Sequence, residues 1–339
     1  MAEPSRAGTD SSGGSGGAAE IVFRGVTKYY PGRKAAAVKD LSLVVPAGEI
    51  CVLVGPSGAG KTTAMKLVNR LIDFDEGDIT IDGKSVRSLN AVELRRGIGY
   101  VIQQIGLFPH MTVGDNVGVV PRLLGWPKQR IRERTAELIE LVGLEAGDAK
   151  RYPSQLSGGQ RQRVGLARAL AAEPKVMLMD EPFGALDPIT RDRLQNEFLR
   201  LHEVERKTVI FVTHDIDEAI KLGDRIAILR EGGVLAQYDT PDAILAAPAD
   251  DFVARFVGAD RGLKRLALRR LAEIELDSPN GIPPGAPRTT LQTTLRDALS
   301  LMLTEGAEEL VVVDDAGEVT GVLSVGRVSR LLAEPEREP

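Results

Sequence analysis

The stretch Gly55-Pro56-Ser57-Gly58-Ala59-Gly60-Lys61-Thr62 decides the fold of this 339-residue chain. It matches the phosphate-binding loop pattern, and it lies between an apolar run over residues 50–54 and a helical pattern over residues 62–71, which is the context the pattern requires. Glycines let the backbone wrap phosphates, and amides at a helix start donate to anionic oxygens. The pattern therefore predicts a nucleotide site in which Lys61 reaches the β- and γ-phosphates and the Thr62 hydroxyl binds Mg²⁺.

Short β-rich runs alternate with helical patterns of 3.6-residue period on both sides of this loop, which predicts α/β layering. In an open parallel sheet the ligand lies outside the carboxyl ends of the strands, so the turns after these runs are the expected place for chemistry. The predicted strands are Glu49 to Val54, Ile98 to Ile102, Val176 to Met179, Thr208 to Val212 and Arg225 to Leu229.

One of these runs, Val176 to Met179, ends directly in two carboxylates, Asp180 and Glu181. Asp180 fits the metal-holding acid of a nucleotide hydrolase, and Glu181 is placed to polarise the attacking water. Together with Lys61, the pair predicts hydrolysis at the edge of the sheet.

Composition excludes several other classes of protein. A net charge of -5 gives no basic field for nucleic acid, and the single cysteine, Cys51, excludes internal disulfides and metal sites built on paired cysteines. The longest apolar runs are far shorter than a membrane span, so a membrane role would need a partner. We expect residues 1–19, which are rich in Gly and Ser and lack the apolar stretch of a secretion signal, to be a disordered tail.

A second, smaller unit follows residue 258. The basic stretch from Arg261 to Arg270 leads to the Pro/Gly loop Ser278 to Gly285, which breaks regular structure. The basic stretch is either a solvated helix face or a contact with anionic lipid. After the loop we expect a helix, two strands and a final helix, at Leu295 to Leu303, Leu310 to Val313, Val319 to Ser324 and Val325 to Leu332.

The segment Leu156-Ser157-Gly158-Gly159-Gln160 settles the class, because it precedes a helical pattern that could point its amino end at a phosphate. With this motif, the phosphate-binding loop and the Asp180-Glu181 strand in this order, residues 21–258 resemble the ATP-binding subunit of an ATP-binding cassette (ABC) transporter. The resemblance implies a P-loop ATPase with a mixed sheet core, a helical subdomain and a small antiparallel β part, filling residues 20–258. It also implies that the chain hydrolyses ATP with Mg²⁺.

The resemblance assigns further residues to this site. Tyr30 matches the residue that stacks on adenine, with Tyr29 as the alternative. Gln103, with Gln104 as the alternative register, matches the glutamine that touches Mg²⁺ and the attacking water, and His214 matches the switch histidine at the γ-phosphate. The implied ATP contacts are Tyr30, Gly55, Pro56, Ser57, Gly58, Ala59, Gly60, Lys61, Thr62 and Thr63; the implied catalytic residues are Glu181, His214 and Gln103; and the implied Mg²⁺ ligands are Thr62, Gln103 and Asp180.

In this family the signature segment completes the ATP site of a second copy, so the resemblance implies an ATP-bound dimer. Leu156, Ser157, Gly158, Gly159 and Gln160 would contact the partner's ATP, and the loop Gly184 to Asp187 would cross the interface through Asp187. ATP would then hold the two chains together, and hydrolysis would release them.

The sequence before the signature, Tyr152-Pro153-Ser154-Gln155, resembles importer subunits, and the stretch Ile98 to Thr112 resembles importers of glycine betaine, choline and carnitine. The implied function is an ATPase subunit at the cytoplasmic face of the membrane, which works with separate permease subunits and, indirectly, with an extracytoplasmic solute-binding protein. An exporter subunit, an importer of another solute and a soluble ABC ATPase remain as alternatives.

Residues 259–339, hereafter the tail, resemble a cystathionine-β-synthase-type (CBS) regulatory domain through Leu295 to Leu299, Leu310 to Asp314 and Gly321 to Ser324. Such domains act in pairs, and this chain has one full repeat, so a pair would form across the two chains of the dimer. The hypothesis is that paired tails gate ATPase turnover in response to ionic strength or a nucleotide. An inert α/β appendage is the alternative.

Overall fold

The computed structural model describes residues 17–102, 106–184, 186–279 and 285–333. Thirteen strands are found within these ranges. The strands are β1 (Ile21–Lys28), β2 (Val38–Val45), β3 (Ile50–Val54), β4 (Glu76–Ile81), β5 (Lys84–Ser85), β6 (Ile98–Val101), β7 (Val176–Asp180), β8 (Thr208–Val212), β9 (Arg225–Arg230), β10 (Val234–Asp239), β11 (Arg288–Thr290), β12 (Glu309–Val313) and β13 (Val319–Ser324).

The same ranges contain thirteen α-helices. The helices are α1 (Lys61–Val68), α2 (Ala91–Arg96), α3 (Val113–Val117), α4 (Val119–Leu123), α5 (Lys128–Leu141), α6 (Gly158–Leu170), α7 (Pro188–Glu205), α8 (Ile216–Leu222), α9 (Pro241–Ala246), α10 (Asp251–Val257), α11 (Arg261–Leu268), α12 (Leu295–Glu305) and α13 (Val325–Ala333). No helix in these described parts of the chain is both long and apolar enough to cross a membrane.

The central sheet has the strand order β10-β9-β3-β8-β7-β6 and includes all five predicted strands. Strands β9, β3, β8, β7 and β6 pair in parallel, while β10 returns antiparallel to β9. The expectation of a mixed sheet core is therefore confirmed. A second sheet, β2-β1-β4-β5, is antiparallel throughout and forms the small β part.

The central sheet is buried on both faces. Along β3 the side chains alternate between two apolar cores: Ile50, Val52 and Val54 belong to one, and Cys51 and Leu53 to the other. This alternation follows from the two-residue period of a strand, and a sheet covered on both faces is apolar at every position. The helices α3 to α6, between β6 and β7, pack on the first core and form the helical subdomain.

Part of the N-terminal segment that was expected to be disordered is packed against the cassette. Ala19, which lies in the N-terminal segment of residues 1–19, is fully buried, and its amide donates to Thr208 Oγ1 at 3.2 Å. Residues 1–16 lie outside the described residues, and so do residues 280–284 of the predicted Pro/Gly loop.

The tail has its own small sheet and its own core. Strand β12 pairs in parallel with β11 and antiparallel with β13. Leu295, Met302, Leu310 and Leu323 lie at the centre of this core, which also takes in Leu266 of α11. Helix α11 contacts α8 and α9 of the cassette as well as α12 of the tail, so it joins the two parts.

Candidate nucleotide-binding site

The phosphate-binding loop joins the carboxyl end of β3 to α1, as its sequence predicts. Gly55 has a φ of 154°, and a Cβ added there would lie 2.2 Å from Leu229 O. Gly60 has a φ of 79°, and a Cβ added there would lie 2.1 Å from Ala37 O. Only glycine fits these two positions. At Gly58, where φ is 81°, a Cβ would meet nothing within 4 Å, so this part of the loop faces open space.

Lys61 is buried inside this loop, and its ammonium donates to Gly55 O at 2.7 Å and Pro56 O at 3.0 Å. Burial lowers the pKa of Lys61, and the carboxylates of Glu181 and Asp180 oppose this shift in part. An ammonium held among carbonyl oxygens and removed from water gains by pairing with an anion. The residues present therefore fit a bound phosphate chain.

A metal-binding arrangement lies next to the lysine. Thr62 Oγ1 donates to Asp180 Oδ1 at 2.8 Å, so the hydroxyl and the carboxylate named as Mg²⁺ ligands are in contact. Burial raises the pKa of Asp180, and Glu181 adds to the shift, against the opposing effects of Thr62, Lys66 and Lys61. A divalent cation would remove this penalty on the charged form, so the pair fits Mg²⁺.

Glu181 and His214 face each other across the ends of β7 and β8. The distance from Glu181 Oε1 to His214 Nδ1 is 3.2 Å. Glu181 has a φ of 44°, in the left-handed region, and its amide donates to Val212 O at 3.0 Å. The backbone turn at the end of β7 thus directs this carboxylate toward the segment that carries the histidine.

Lys61, Thr62, Glu181 and His214 line one cavity of about 590 Å³, and Tyr30 forms another part of its wall. The Tyr30 hydroxyl lies 3.3 Å from Thr63 Oγ1, whereas Tyr29 is exposed and its amide donates to Asp75. The cavity is therefore lined by Tyr30 rather than by the alternative. The wall residues that the sequence had assigned to the site are Tyr30, Ser57, Gly58, Ala59, Gly60, Lys61, Thr62, Thr63, Glu181 and His214.

The cavity also has walls that the motifs did not predict: Arg33, Ala35, Ala36, Ala37, Glu231 and Gly232. Glu231 and Gly232 follow β9 directly, and the rule that ligands bind at the carboxyl ends of strands could have found them. No local motif marks the segment from Arg33 to Ala37, because only its contact with Gly60 brings it to the site.

The signature segment lies in a different place. Ser157 caps α6, with its Oγ accepting from Gln160 N at 3.2 Å and Gln160 Oε1 accepting from Ser157 N at 2.9 Å. Together with Asp187, which caps α7 through Thr190 N, Ser157 to Gln160 line a cavity of about 570 Å³, whereas Leu156 is buried in the core. Among the described residues, this cavity shares no wall with the phosphate-loop cavity.

The structure thus brings together the loop, Tyr30, Asp180, Glu181 and His214, and separately the signature segment and Asp187. Gln103 and its alternative Gln104 lie outside the described residues. One contact that no motif predicts joins the two groups: Gln162, on α6, donates to the carbonyl of Pro182, next to Glu181.

Part of the basic stretch in the tail faces the cassette, which corrects the solvated-face interpretation for Lys264 and Arg265, whereas Arg261 and Arg270 are exposed. Arg265 donates twice to Asp242 of α9, at 2.7 and 3.0 Å, and Lys264 pairs with Asp217 of α8 at 3.0 Å. These side chains fasten the tail to the cassette.

Comparison with known proteins supports the same conclusions. A family model described as "ABC transporter" matches residues 38–184. The choline transport ATP-binding protein OpuBA of Bacillus subtilis is 49% identical over 307 residues, which are 90% of this chain and 78% of that protein. The glycine betaine uptake system ATP-binding protein YehX of Escherichia coli is 46% identical, over 89% of this chain and 97% of its own length. These matches exceed the length of the cassette and therefore include part of the tail.

The chain is also similar to a solved structure titled as the dimeric structure of MJ0796, a bacterial ABC transporter cassette, with a TM-score of 0.58 and 36% identity. The match covers 65% of this chain and 98% of the chain in that structure. A second structure of that cassette, with the same scores, is described as a dimeric post-hydrolysis state bound to ADP and phosphate. The expected P-loop ABC fold is confirmed by these matches. The chain is an ATPase and belongs to the ATP-binding subunits of ABC transporters.

Proposed function

We propose that this chain powers the import of a quaternary-amine osmoprotectant through a separate membrane permease, as a peripheral subunit on the cytoplasmic face. The observation that carries the solute class is the 49% identity to OpuBA, whose name gives it a role in choline transport, and to the osmoprotectant import protein OsmV of Salmonella typhimurium. A permease and a solute-binding protein would then be its partners.

The nucleotide site supports ATP hydrolysis by named residues. Lys61 and the amides of the loop from Gly55 to Thr62 would bind the phosphates, and Tyr30 would stack on adenine. Thr62 and Asp180, already in contact, would hold Mg²⁺. The cation would supply positive charge to the phosphate oxygens as the terminal bond breaks.

Glu181 and His214 would carry the chemical step. The oxygen of a water attacks the γ-phosphorus, the bond to the bridging oxygen breaks, and ADP and phosphate leave. Glu181 would accept the proton of that water, while His214, 3.2 Å from Glu181, would contact the γ-phosphate and keep both groups in register. We also assign Gln103 to this site, as a contact of Mg²⁺ and the water, on the family resemblance alone.

A second copy would complete each site. The separation of the two cavities supports this proposal, because the signature residues do not line the cavity of their own Lys61. At Gly158 an added Cβ would meet nothing within 4 Å, so the packing of the chain itself does not require glycine there. An approaching phosphate would require it.

For the tail we propose a CBS-type regulatory domain beginning near residue 259. Its separate core and its three-stranded sheet support a domain of its own. Removing residues 270–339, which leaves α11 on the cassette, should abolish salt dependence of transport in proteoliposomes. Transport that keeps its salt dependence would refute gating by the tail.

The test of function is uptake of labelled betaine, choline, carnitine and proline by cells with and without the gene. We expect loss of uptake of at least one quaternary amine, restored by the wild-type gene but not by Lys61→Ala. Unchanged uptake of all four solutes would refute the proposed substrate class. Failure to co-purify with a permease would favour a soluble ABC ATPase, and export of a solute would favour an exporter.

A further inference from the structure

Helix α8 begins directly after the proposed switch histidine. Asp215 caps the helix, and its Oδ1 accepts from the amides of Asp217 at 2.9 Å and Glu218 at 3.3 Å. His214 precedes this cap by one residue, so a shift of the first turn of α8 would move the backbone that carries the imidazole. This first turn carries three carboxylates, on Asp215, Asp217 and Glu218.

Two of the three carboxylates are held from within the cassette, by one face of α7. Asp215 lies 3.8 Å from Arg191, and Glu218 accepts from Gln195 Nε2 at 3.0 Å. Since Arg191 and Gln195 are four residues apart, they lie on the same side of that helix. This side of the first turn of α8 is therefore bound to α7, which Asp187 caps.

The third carboxylate is held from the tail. Asp217 Oδ1 lies 3.0 Å from the ammonium of Lys264, on α11. The Lys264 side chain is only 12% exposed, and its Nζ also donates to Val257 O at 3.0 Å and lies 3.4 Å from Asp260. Because the ammonium of Lys264 is also bonded to the backbone at the end of α10, it is less free to change position with Asp217 than the ammonium of an exposed lysine.

The charge on this lysine is maintained. Burial, the largest effect, lowers the pKa of Lys264, but the carboxylates of Asp217 and Asp260 together more than offset it, and the net shift is upward. The two carboxylates thus favour the charged form of Lys264. Asp217 is 69% exposed, so its half of the pair is open to salt.

Helix α11 packs into the core of the tail as well as against the cassette. Leu266, between the residues that face the cassette, is buried in the tail core with Leu295 and Leu310. A rotation or displacement of that core would therefore act on α11 and on the contacts of Lys264 with Val257 and Asp217.

We propose that Lys264 is a positioning residue for the switch histidine, through which the seating of the tail on the cassette sets the rate of ATP hydrolysis in the same chain. The proposal rests on the role given to His214 above. It differs from pairing of the tails across the dimer, because the contact lies within one chain.

The test uses the full chain and two readouts. Lys264→Met should lower kcat for ATP hydrolysis about threefold to fivefold, the range of a partly exposed ion pair, with KM for ATP unchanged and with Lys264→Arg restoring the rate. The matched control is Arg261→Met, on the same helix, since Arg261 is exposed and makes no ion pair with the described residues. The control should leave kcat unchanged.

The second readout does not depend on turnover. The chain has three histidines, so the imidazole resonances of His214 can be assigned and followed by NMR. Lys264→Met should shift the His214 resonances and leave those of buried His202 in place. An unshifted His214, an unchanged kcat or a loss that Lys264→Arg does not restore would overturn the proposal. Full turnover in His214→Ala would instead refute the role of His214, whatever the NMR result.

Discussion

Glu181 is the residue at which backbone conformation and chemistry meet. A left-handed conformation costs a residue with a side chain roughly 1–2 kcal/mol, and the φ of Glu181 is 44°. The hydrogen bonds from Glu181 N to Val212 O and from Gly184 N to Glu181 O hold this turn. The turn places the carboxylate of Glu181 beside His214 and in the cavity of Lys61.

Replacing Glu181 with Gln should reduce ATP hydrolysis by a factor of about 10² or more, because the amide cannot accept the proton of the attacking water. Affinity for ATP should stay within about twofold, since phosphate binding is assigned to Lys61 and the loop amides. Phosphate release and nucleotide titration measure the two effects. The control is Glu203→Gln, an exposed position on α7, and equal rates for the two variants would remove Glu181 from the role of base.

Gly60 and Gly125 offer a comparison of steric conflict with backbone strain. Both have positive φ values, 79° and 76°, but only at Gly60 would a Cβ strike backbone, 2.1 Å from Ala37 O. Gly125→Ala should cost about 1 kcal/mol, from strain alone, and Gly60→Ala about 2 kcal/mol more, from overlap. Urea unfolding of the nucleotide-free protein measures both, and equal losses would contradict the loop geometry.

Asp180 should make the nucleotide-free protein sensitive to pH. Burial raises the pKa of Asp180 above its value in the unfolded chain, so between the two values the folded state binds more protons. The free energy of unfolding should therefore fall as pH rises from the ordinary aspartate pKa through the raised one, and Asp180→Asn should remove this fall. Parallel pH curves for the two proteins, measured by urea unfolding, would contradict the account.

Asp250 supplies a control of opposite sign. The amide of Val253 and the nearby Arg230 lower the pKa of Asp250, so its contribution is present above the unfolded pKa and is lost as pH falls through the folded one. Asp250→Asn should therefore flatten the curve on the acid side only.

At the scale of elements, the central strands were predictable because burial on both faces makes them apolar at every position. Strands β3, β7 and β8 are buried throughout, and each ends where a functional group begins: Gly55, Glu181 and the segment before His214. The convergence of these ends follows from parallel pairing, which the sequence pattern implied.

The docking of α11 was not predictable in the same way. A cluster of Lys and Arg shows where positive charge lies, but its partners are carboxylates distant in sequence, such as Asp242, 23 residues before Arg265. Which of the chain's Asp and Glu side chains face the cluster depends on tertiary packing. For the same reason, the segment from Arg33 to Ala37 was absent from the predicted site.

The seating of α11 can be tested through Arg265. Its guanidinium makes two hydrogen bonds to Asp242, and both side chains are largely buried. Arg265→Lys keeps the charge but cannot make both bonds, so it should weaken the docking by about 1–2 kcal/mol. Hydrogen exchange of the α11 amides should accelerate accordingly, while Arg261→Lys should leave it unchanged. Equal protection in the two variants would show that Asp242 does not anchor the helix.

At the scale of the whole molecule, the signature cavity and the phosphate-loop cavity share no wall among the described residues. The phosphate loop with Glu181 and His214 lines one cavity, and the signature segment with Asp187 lines another. Their separation is a property of the folded chain that the motifs alone could not give, because motif order does not fix distance. Two copies related so that each signature faces the other's loop would make two complete sites.

Sedimentation velocity of Glu181→Gln with ATP and Mg²⁺ measures whether two copies complete each other's sites. We expect a dimer that forms only with ATP, and a monomer when Ser157→Arg is added, with the affinity for ATP within about twofold of that of Glu181→Gln alone. A dimer that survives Ser157→Arg, or no ATP-dependent dimer in Glu181→Gln, would contradict this expectation.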